Sequence, residues 1–303
     1  MHDTHISRRR FALLAGGAGV APPGVAGAEP LTADVVARRI QTELGGEWPQ
    51  AGPDGFKAGD PSTAVKGIAT TAMATIGVLQ EAAKANANLI LTCEPTFYGR
   101  ADGRAPSMAT AGRGAPGVGS DDPVVKAKRE WIEKNGVVVF RLGDHWRASK
   151  QNEMVTALAG ALGWPEGRVK RGDAVYEIPA ASAEETVALI RSRLKLRGGL
   201  RAVGDRGARI RRVLLHPGPM PPAIVLERYS EVDMIVAGEV REWESTHYAA
   251  DMFTAGEKRA LVTVGRVVSE EPGMRACAEW LKSVVKEVPA MWIGAGDPYW
   301  RPA

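Results

Sequence analysis

The sequence predicts an α/β fold, and three observations carry that prediction. Short apolar runs alternate with amphipathic stretches along most of the chain, the pattern of strands separated by helices. Its 303 residues suffice for one large domain or two modest ones. With 45% hydrophobic and 24% charged residues, it has the make-up of a folded globular protein and not of a disordered, collagenous or coiled-coil chain. No internal repeat of fixed period is present.

Taken in order, Thr32 caps a helix carrying Val35, Val36, Ile40 and Leu44, and Gly45 stops it. A strand follows over Val65–Thr70, then a helix to about Ala85 and a second strand over Asn88–Thr92. Residues 99–120, glycine-rich and lacking apolar periodicity, read as a surface loop. A helix over Asp122–Lys134 leads into an apolar strand, Val137–Leu142, and another helix covers 152–163. Segment 165–208 reads as a small strand–helix–strand insert with its helix near Ala183–Leu194. The alternation then resumes with a strand at Val213–Leu215, a helix at Ala223–Tyr229, a strand at Met234–Val236 and a helix at Glu242–Phe253. A strand at Leu261–Val264, a helix over Pro272–Val285 and a strand at Met291–Ile293 end the chain. The expected organisation is therefore a main α/β domain in two parts, 29–164 and 209–303, interrupted by the insert at 165–208.

Residues 1–28 are expected to be an export signal. Ser7-Arg8-Arg9-Arg10-Phe11-Ala12-Leu13 precedes an apolar run, Phe11–Ala21, and the small-residue end Ala26-Gly27-Ala28. Paired arginines, a weak apolar stretch and a small-x-small end resemble a twin-arginine signal, cleaved near Ala28 for a periplasmic or secreted destination. The run is far shorter than the roughly 20 residues that span a bilayer, so no stable membrane anchor is expected. Cleavage removes Asp3 and three arginines, so the net charge of +4 falls to +2 and the case for nucleic-acid binding weakens. His2 and His5 leave with the signal, and His145, His216 and His247 remain. Of these, His216 is a weak loop candidate and His247 reads as an ordinary helix histidine.

Common catalytic motifs are missing: GxxxxGK[ST], GxSxG, HExxH and CxxC do not occur. Gly112-Arg113-Gly114-Ala115-Pro116-Gly117 spells GxGxxG but lies in the loop, after no strand and with proline where a helix should begin. What stands out is acid at strand ends: Cys93-Glu94-Pro95, Gly143-Asp144-His145-Trp146, Gly238-Glu239 and Ser269-Glu270-Glu271. Ligands of open α/β sheets gather beyond the carboxyl ends of strands, so four such ends on one sheet converge on one cleft. Hard carboxylates with one imidazole suit a divalent cation such as Zn, Mn or Fe. Taken singly, each cluster also fits a solvated loop acid or a helix cap.

The order of motifs resembles a known family. Gly59-Asp60-Pro61, Val65-Lys66-Gly67-Ile68, Val78-Leu79 with Ala82, and Asn88-Leu89-Ile90-Leu91 before Cys93-Glu94-Pro95 form one half of the pattern. Asp233, Ala237-Gly238-Glu239, Gly265, Ser269-Glu270 and Gly273 form the other. The chain resembles the type 2 GTP cyclohydrolase I family, also called the NGG-one-interacting-factor-three-like family, over nearly all of its length after the signal. The resemblance implies a two-domain subunit, with a central mixed sheet, flanking helices and a small inserted α/β domain, in a homohexamer carrying a dinuclear metal site. Departures fall on the ligand positions: Cys93 and Glu94 stand in place of paired histidines, Arg266 in place of a histidine after Gly265, and Met73 in place of an aspartate.

A rebuilt site holding one divalent metal per subunit on Cys93, Glu94, Asp144, His145 and Glu270 is therefore expected. Glu239 or Glu242, three residues apart at the start of a helix, is the candidate general base. Arg266 and Trp146 are the candidate substrate contacts. Cys93 has three readings: a thiolate ligand, a disulfide with Cys277, or a small buried residue. Arg266 has two, a fixed charge for an anionic substrate group or a partner for a carboxylate. The expected function is an exported hydrolase or lyase acting on a small polar substrate through metal-bound water. The rival expectation is a non-catalytic toroidal scaffold or metal-binding protein whose dinuclear site has decayed.

Overall fold

A computed structural model describes residues 30–49, 52–99, 102, 121–150, 152–170, 173–196 and 198–300. The expected signal at 1–28 and nearly all of the expected loop at 99–120, including Gly112–Gly117, lie outside the described residues. Two five-stranded sheets organise the chain. The first takes β1 (Gly55–Ala58), β2 (Ile68–Thr71), β3 (Leu89–Thr92), β4 (Val138–Arg141) and β10 (Ala290–Trp292), in the order β1-β4-β3-β2-β10. The second takes β5 (Val175–Ser182), β6 (Arg201–Gly204), β7 (Arg209–Met220), β8 (Met234–Val240) and β9 (Ala260–Thr263), in the order β5-β7-β8-β9-β6. Each sheet has parallel inner pairings with antiparallel edges: β1 on the first, β5 and β6 on the second. The inner strands β2, β3 and β4 are buried at every residue, as expected where helices cover both faces.

Helices follow the apolar spacing. They are α1 (Ala33–Leu44), α2 (Ile76–Lys84), α3 (Pro123–Lys134), α4 (Gly143–Arg147), α5 (Glu153–Leu162), α6 (Ala183–Arg193), α7 (Pro222–Arg228), α8 (His247–Thr254) and α9 (Arg266–Val284). The cap at Thr32 is formed, its hydroxyl accepting from Val35 N at 3.3 Å, and Gly45 ends α1 with φ 66°. Asp122 caps α3 and Ser182 closes a capping box with Glu185 on α6. Trp146, Phe140 and Leu281 sit in one core on the first sheet, while Leu158, Ile190 and Val213 sit in another on the second. Among the described residues no helix is long and apolar enough to cross a membrane.

Three expectations change. The segment 165–208 is not a self-contained insert: β5 pairs with β7 and β6 with β9, so its strands are the edges of the second sheet. Second, β7 runs on through His216-Pro217-Gly218-Pro219, so His216 lies in a strand paired with β8 and not in a loop. The irregular register between His216 and Pro219 absorbs the two prolines, which cannot donate to a ladder. Third, α9 begins at Arg266, six residues before the expected start, and carries Pro272 inside it. Gly265, with φ 103°, makes the turn from β9 into α9, while its amide donates to Gly238 O at 2.9 Å.

Candidate functional site

The four acid-bearing strand ends fall on two sheets, two on each, and the helices that follow them bring three of the ends together. Beyond β3, the ladder continues for two residues: Cys93 N donates to Thr71 O at 3.1 Å and Glu94 N to Ala72 O at 3.0 Å. Glu94 is thereby held at the end of the first sheet, almost fully buried. Glu270, with no exposed surface, projects from the second turn of α9. The start of α9 is fastened to the second sheet through Ser269, whose hydroxyl donates to Arg266 O at 2.6 Å and accepts from Gly218 N at 2.9 Å. A side chain at Gly218 would collide with Glu270 Oε1, so this approach requires glycine there.

Two guanidinium groups join the acids. Arg147 Nη2 donates to Glu94 Oε1 at 2.6 Å and to Glu270 Oε1 at 2.5 Å, bridging the two carboxyl groups. Arg266 Nη2 donates to the other Glu94 oxygen at 2.5 Å, and its Nη1 lies 3.8 Å from Glu239 Oε1. Burial works against ionisation of Glu94, but the charges of Arg266 and Arg147 prevail and hold it below the usual carboxylate range. Glu270 goes the opposite way: burial, followed by the charge of Glu94, pushes it well above that range, against the opposing pull of Arg147. Its Oε2 is buried without a hydrogen-bond partner among the described residues. Burial and then the neighbouring Glu270 push the Cys93 thiol up as well. Although burial alone would lower it, Cys93, Glu270 and Glu94 around it raise Arg147, which stays charged.

Not all expected residues gather here. His145 is consumed elsewhere: Nδ1 lies 2.8 Å from Asp54 Oδ2, Nε2 lies 2.9 Å from the Glu47 carbonyl, and the ring stacks on Trp48 with centroids 3.5 Å apart. Asp54 also accepts from the amides of Asp144 and His145, capping α4 from a distance. Asp144 lies 3.5 Å from both Arg141 Nη2 and Arg147 Nη1, a neighbour of the arginines and not of the buried acids. Trp146, expected to touch substrate, is instead a core residue: it is fully buried, donates to Gly273 O at 3.0 Å and packs on Trp280. Cys93 and Cys277 are both free and buried, which excludes the disulfide reading. His247 is exposed at the first turn of α8. His216 is half-buried in β7 with Nδ1 unpartnered among the described residues, and burial together with the charge of Arg147 lowers its pKa.

Arg147 and Asp54 are the site-building residues that the sequence reading missed. For Arg147 a signal existed: it lies three residues after Asp144, directly following the strand-end motif at 143–146.

Beside Arg266 opens a cavity of about 640 Å³. Its wall includes Arg266, Glu239, Glu242, Arg201, Tyr299 and Trp300. Glu242 is paired with Arg201 at 2.6 Å, and the Trp300 side chain is largely exposed. Three of the four residues expected to bind or transform substrate, Arg266, Glu239 and Glu242, therefore share one wall, with the buried acids behind Arg266.

The donor atoms of Cys93, Glu94 and Glu270 lie within 4.8 Å of one another, so by spacing this buried group could hold a metal ion. The chemistry of these donors is a poor fit. Arg147 Nη2 already sits between the two carboxyl groups, and a second guanidinium occupies the remaining Glu94 oxygen. Burial pushes both Cys93 and Glu270 toward their protonated forms, which works against metal binding. Asp144 and His145, which would have completed the ligand set, have other partners.

Two mixed five-stranded sheets and a site at their strand ends define the class of protein by its fold. The chain matches a Staphylococcus aureus protein, SA1388, at a TM-score of 0.68 and 13% identity, over 90% of this chain and all of that one. It matches a Bacillus cereus protein related to NIF3 at 0.65 and 11%, over 90% and 100%, and the protein ybgI, described as of unknown function, at 0.67 and 18%, over 88% and 100%. No family model and no curated protein matches the sequence. The chain thus has the two-domain α/β fold of NIF3-related proteins, and its structural neighbours support the family resemblance at the level of the fold.

Proposed function

We propose that this chain binds a small polar organic molecule in the cavity beside Arg266 and transforms it by proton transfer, as a hydrolase or lyase that works without a bound metal. The observation that carries the reading is the shared wall: Glu239, Glu242 and Arg266 border one cavity of about 640 Å³, a size suited to a small molecule. In this reading Arg266 neutralises an anionic group of the substrate, and Glu239, half-exposed beside it, accepts the proton. Glu94 fixes Arg266 from behind, so the guanidinium faces the cavity from a set position. Tyr299 and Trp300 at the rim favour a substrate with an apolar face. Export by the twin-arginine signal at 1–28 is part of the proposal, supported by the sequence alone, and favours a substrate available outside the cytoplasm. The homohexamer is proposed on the resemblance alone.

A second reading, the non-catalytic scaffold, is favoured by one observation: Glu270 has no exposed surface and both Glu94 oxygens are engaged, so the buried acids resemble a structural ion network. One experiment separates the two. Small carboxylic acids, amides and sugar derivatives are screened by thermal shift and saturation-transfer NMR against wild type, Glu239→Gln and Arg266→Lys. The enzyme reading expects ligands that stabilise wild type by several degrees, bind more weakly to Arg266→Lys, and are bound but not converted by Glu239→Gln. Ligands that bind all three proteins alike, or no ligand at all, would overturn it in favour of the scaffold.

A further inference from the structure

We propose that Arg147 occupies the place of a bridging divalent cation, and that its guanidinium covers a latent cation site formed by Cys93, Glu94 and Glu270. Three observations lead there, none depending on the cavity. One guanidinium nitrogen contacts both carboxyl groups, at 2.6 and 2.5 Å, the position a cation would take between them. These contacts exceed a zinc–carboxylate bond, about 2.0–2.2 Å, by only some half an ångström. Beneath that nitrogen a thiol and two carboxyl groups, all buried, present donor atoms within 4.8 Å of one another. Three buried donors converging from β3 and α9 are a costly arrangement in a core without a positive charge, and Arg147 supplies that charge. Lastly, the surroundings are built to Arg147: Asp54 caps the short helix that carries it, and Asp144 lies 3.5 Å from its Nη1.

Charge makes the exchange reciprocal. With Arg147 in place, a divalent ion would meet two guanidinium groups already bonded to the carboxyl groups it would need. With Arg147 removed, Glu94 keeps Arg266 while the place between the Glu94 and Glu270 carboxyl groups is vacated, and an added dication fills it. The same donor set that excludes metals in the wild type is therefore expected to bind one in the variant.

The test uses the full chain and two probes, Zn²⁺ and Cd²⁺. Wild type and Arg147→Ala are incubated with each metal, cleared of loose ions and assayed by elemental analysis; Cd²⁺ binding is followed by thiolate charge-transfer absorption. Arg147→Ala should hold about one ion per chain and wild type less than about a tenth of one, because in wild type the guanidinium fills the place between the two carboxyl groups. The absorption band should appear in Arg147→Ala and vanish in Arg147→Ala/Cys93→Ser. Stoichiometric metal in wild type, or none in an Arg147→Ala protein with a native circular dichroism spectrum, would overturn the proposal. Should Arg147→Ala fail to fold, Arg147→Gln takes its place, and a Cd²⁺ band in wild type alone is sufficient refutation. No ligand enters this test, so its failure leaves the substrate reading standing, and a failed ligand screen leaves this one standing.

Discussion

His145 and Arg147 are two residues apart on one five-residue helix, yet they serve different parts of the molecule. His145 faces Asp54, Trp48 and the Glu47 carbonyl, where it fastens the segment before β1 to the start of α4. Arg147 reaches the other way, to Glu94 and Glu270. The residue type that suggests metal chemistry went to the structural cluster, and the type that suggests a surface charge went to the buried centre. Ligand identity thus followed from which side of α4 each residue leaves, a property of helical phase and not of residue chemistry.

The strongest way to break this comparison is to remove the acid that both arginines share. Glu94→Ala leaves Arg147 and Arg266 without their common partner in a buried setting, and unfolding in urea is expected to show a loss of about 3–5 kcal/mol. A loss under about 1 kcal/mol would mean that the cluster is solvated and that the contrast with the His145 side is false. Asp54→Ala tests that other side. It removes the cap of α4 and the partner of His145, with an expected cost of about 1–3 kcal/mol. Because α4 also carries Arg147, this variant should weaken cavity ligands indirectly, whereas His145→Ala should leave them unchanged. If His145→Ala alone abolished ligand binding, the histidine would have to be returned to the site.

How much of this was legible beforehand follows from the kind of force involved. The helices and inner strands were legible because apolar periodicity and caps such as Thr32 and Asp122 are local signals. Cys93, Glu94, Glu239, Arg266 and Glu270 were legible because strand ends and motif order mark them. What was not legible required distance information. That β5 and β6 join the second sheet is a pairing across many residues, and sequence patterning does not encode partner choice. Likewise the bridge from Arg147 to Glu270 spans 123 residues and two sheets. β1 escaped notice because Gly55–Ala58 is half-buried throughout and has no apolar alternation.

Within the buried centre, Glu94 and Glu270 form a second comparison, sharpened by a milder substitution. Glu270→Gln mimics the protonated acid and is expected to lie within about 1 kcal/mol of wild type at pH 5, far from the cost of Glu94→Ala. The pH dependence has a definite sign. Glu270 has a folded-state pKa raised by burial above its ordinary value near 4.5, so the folded protein holds that proton more tightly than the unfolded chain. The stability it contributes is fully present below about pH 4.5 and is lost as pH rises through the raised value. Glu270→Gln has no such loss, so urea midpoints of variant and wild type should draw apart in the variant's favour between pH 5 and 9. A constant difference across that range would show that Glu270 is ionised throughout.

The smallest expected effect concerns the pair at the cavity mouth, Arg201 and Glu242, which sit 2.6 Å apart with both side chains more than half exposed. An exposed pair gains little from Coulomb attraction in high dielectric and loses side-chain freedom, so Arg201→Ala should change stability by no more than about 0.5 kcal/mol. Its value lies in function. Glu239 sits near the end of β8 and Glu242 two residues beyond that strand, and of the two Glu239 is the one 3.8 Å from Arg266. If Glu239 is the base and Glu242 part of the rim, Glu242→Gln should weaken ligands slightly and leave conversion intact, while Glu239→Gln abolishes conversion. Conversion lost in Glu242→Gln and kept in Glu239→Gln would exchange the two roles. The buried arginine–carboxylate cluster would then be a support for the cavity wall and not the fixed backing of its reactive end.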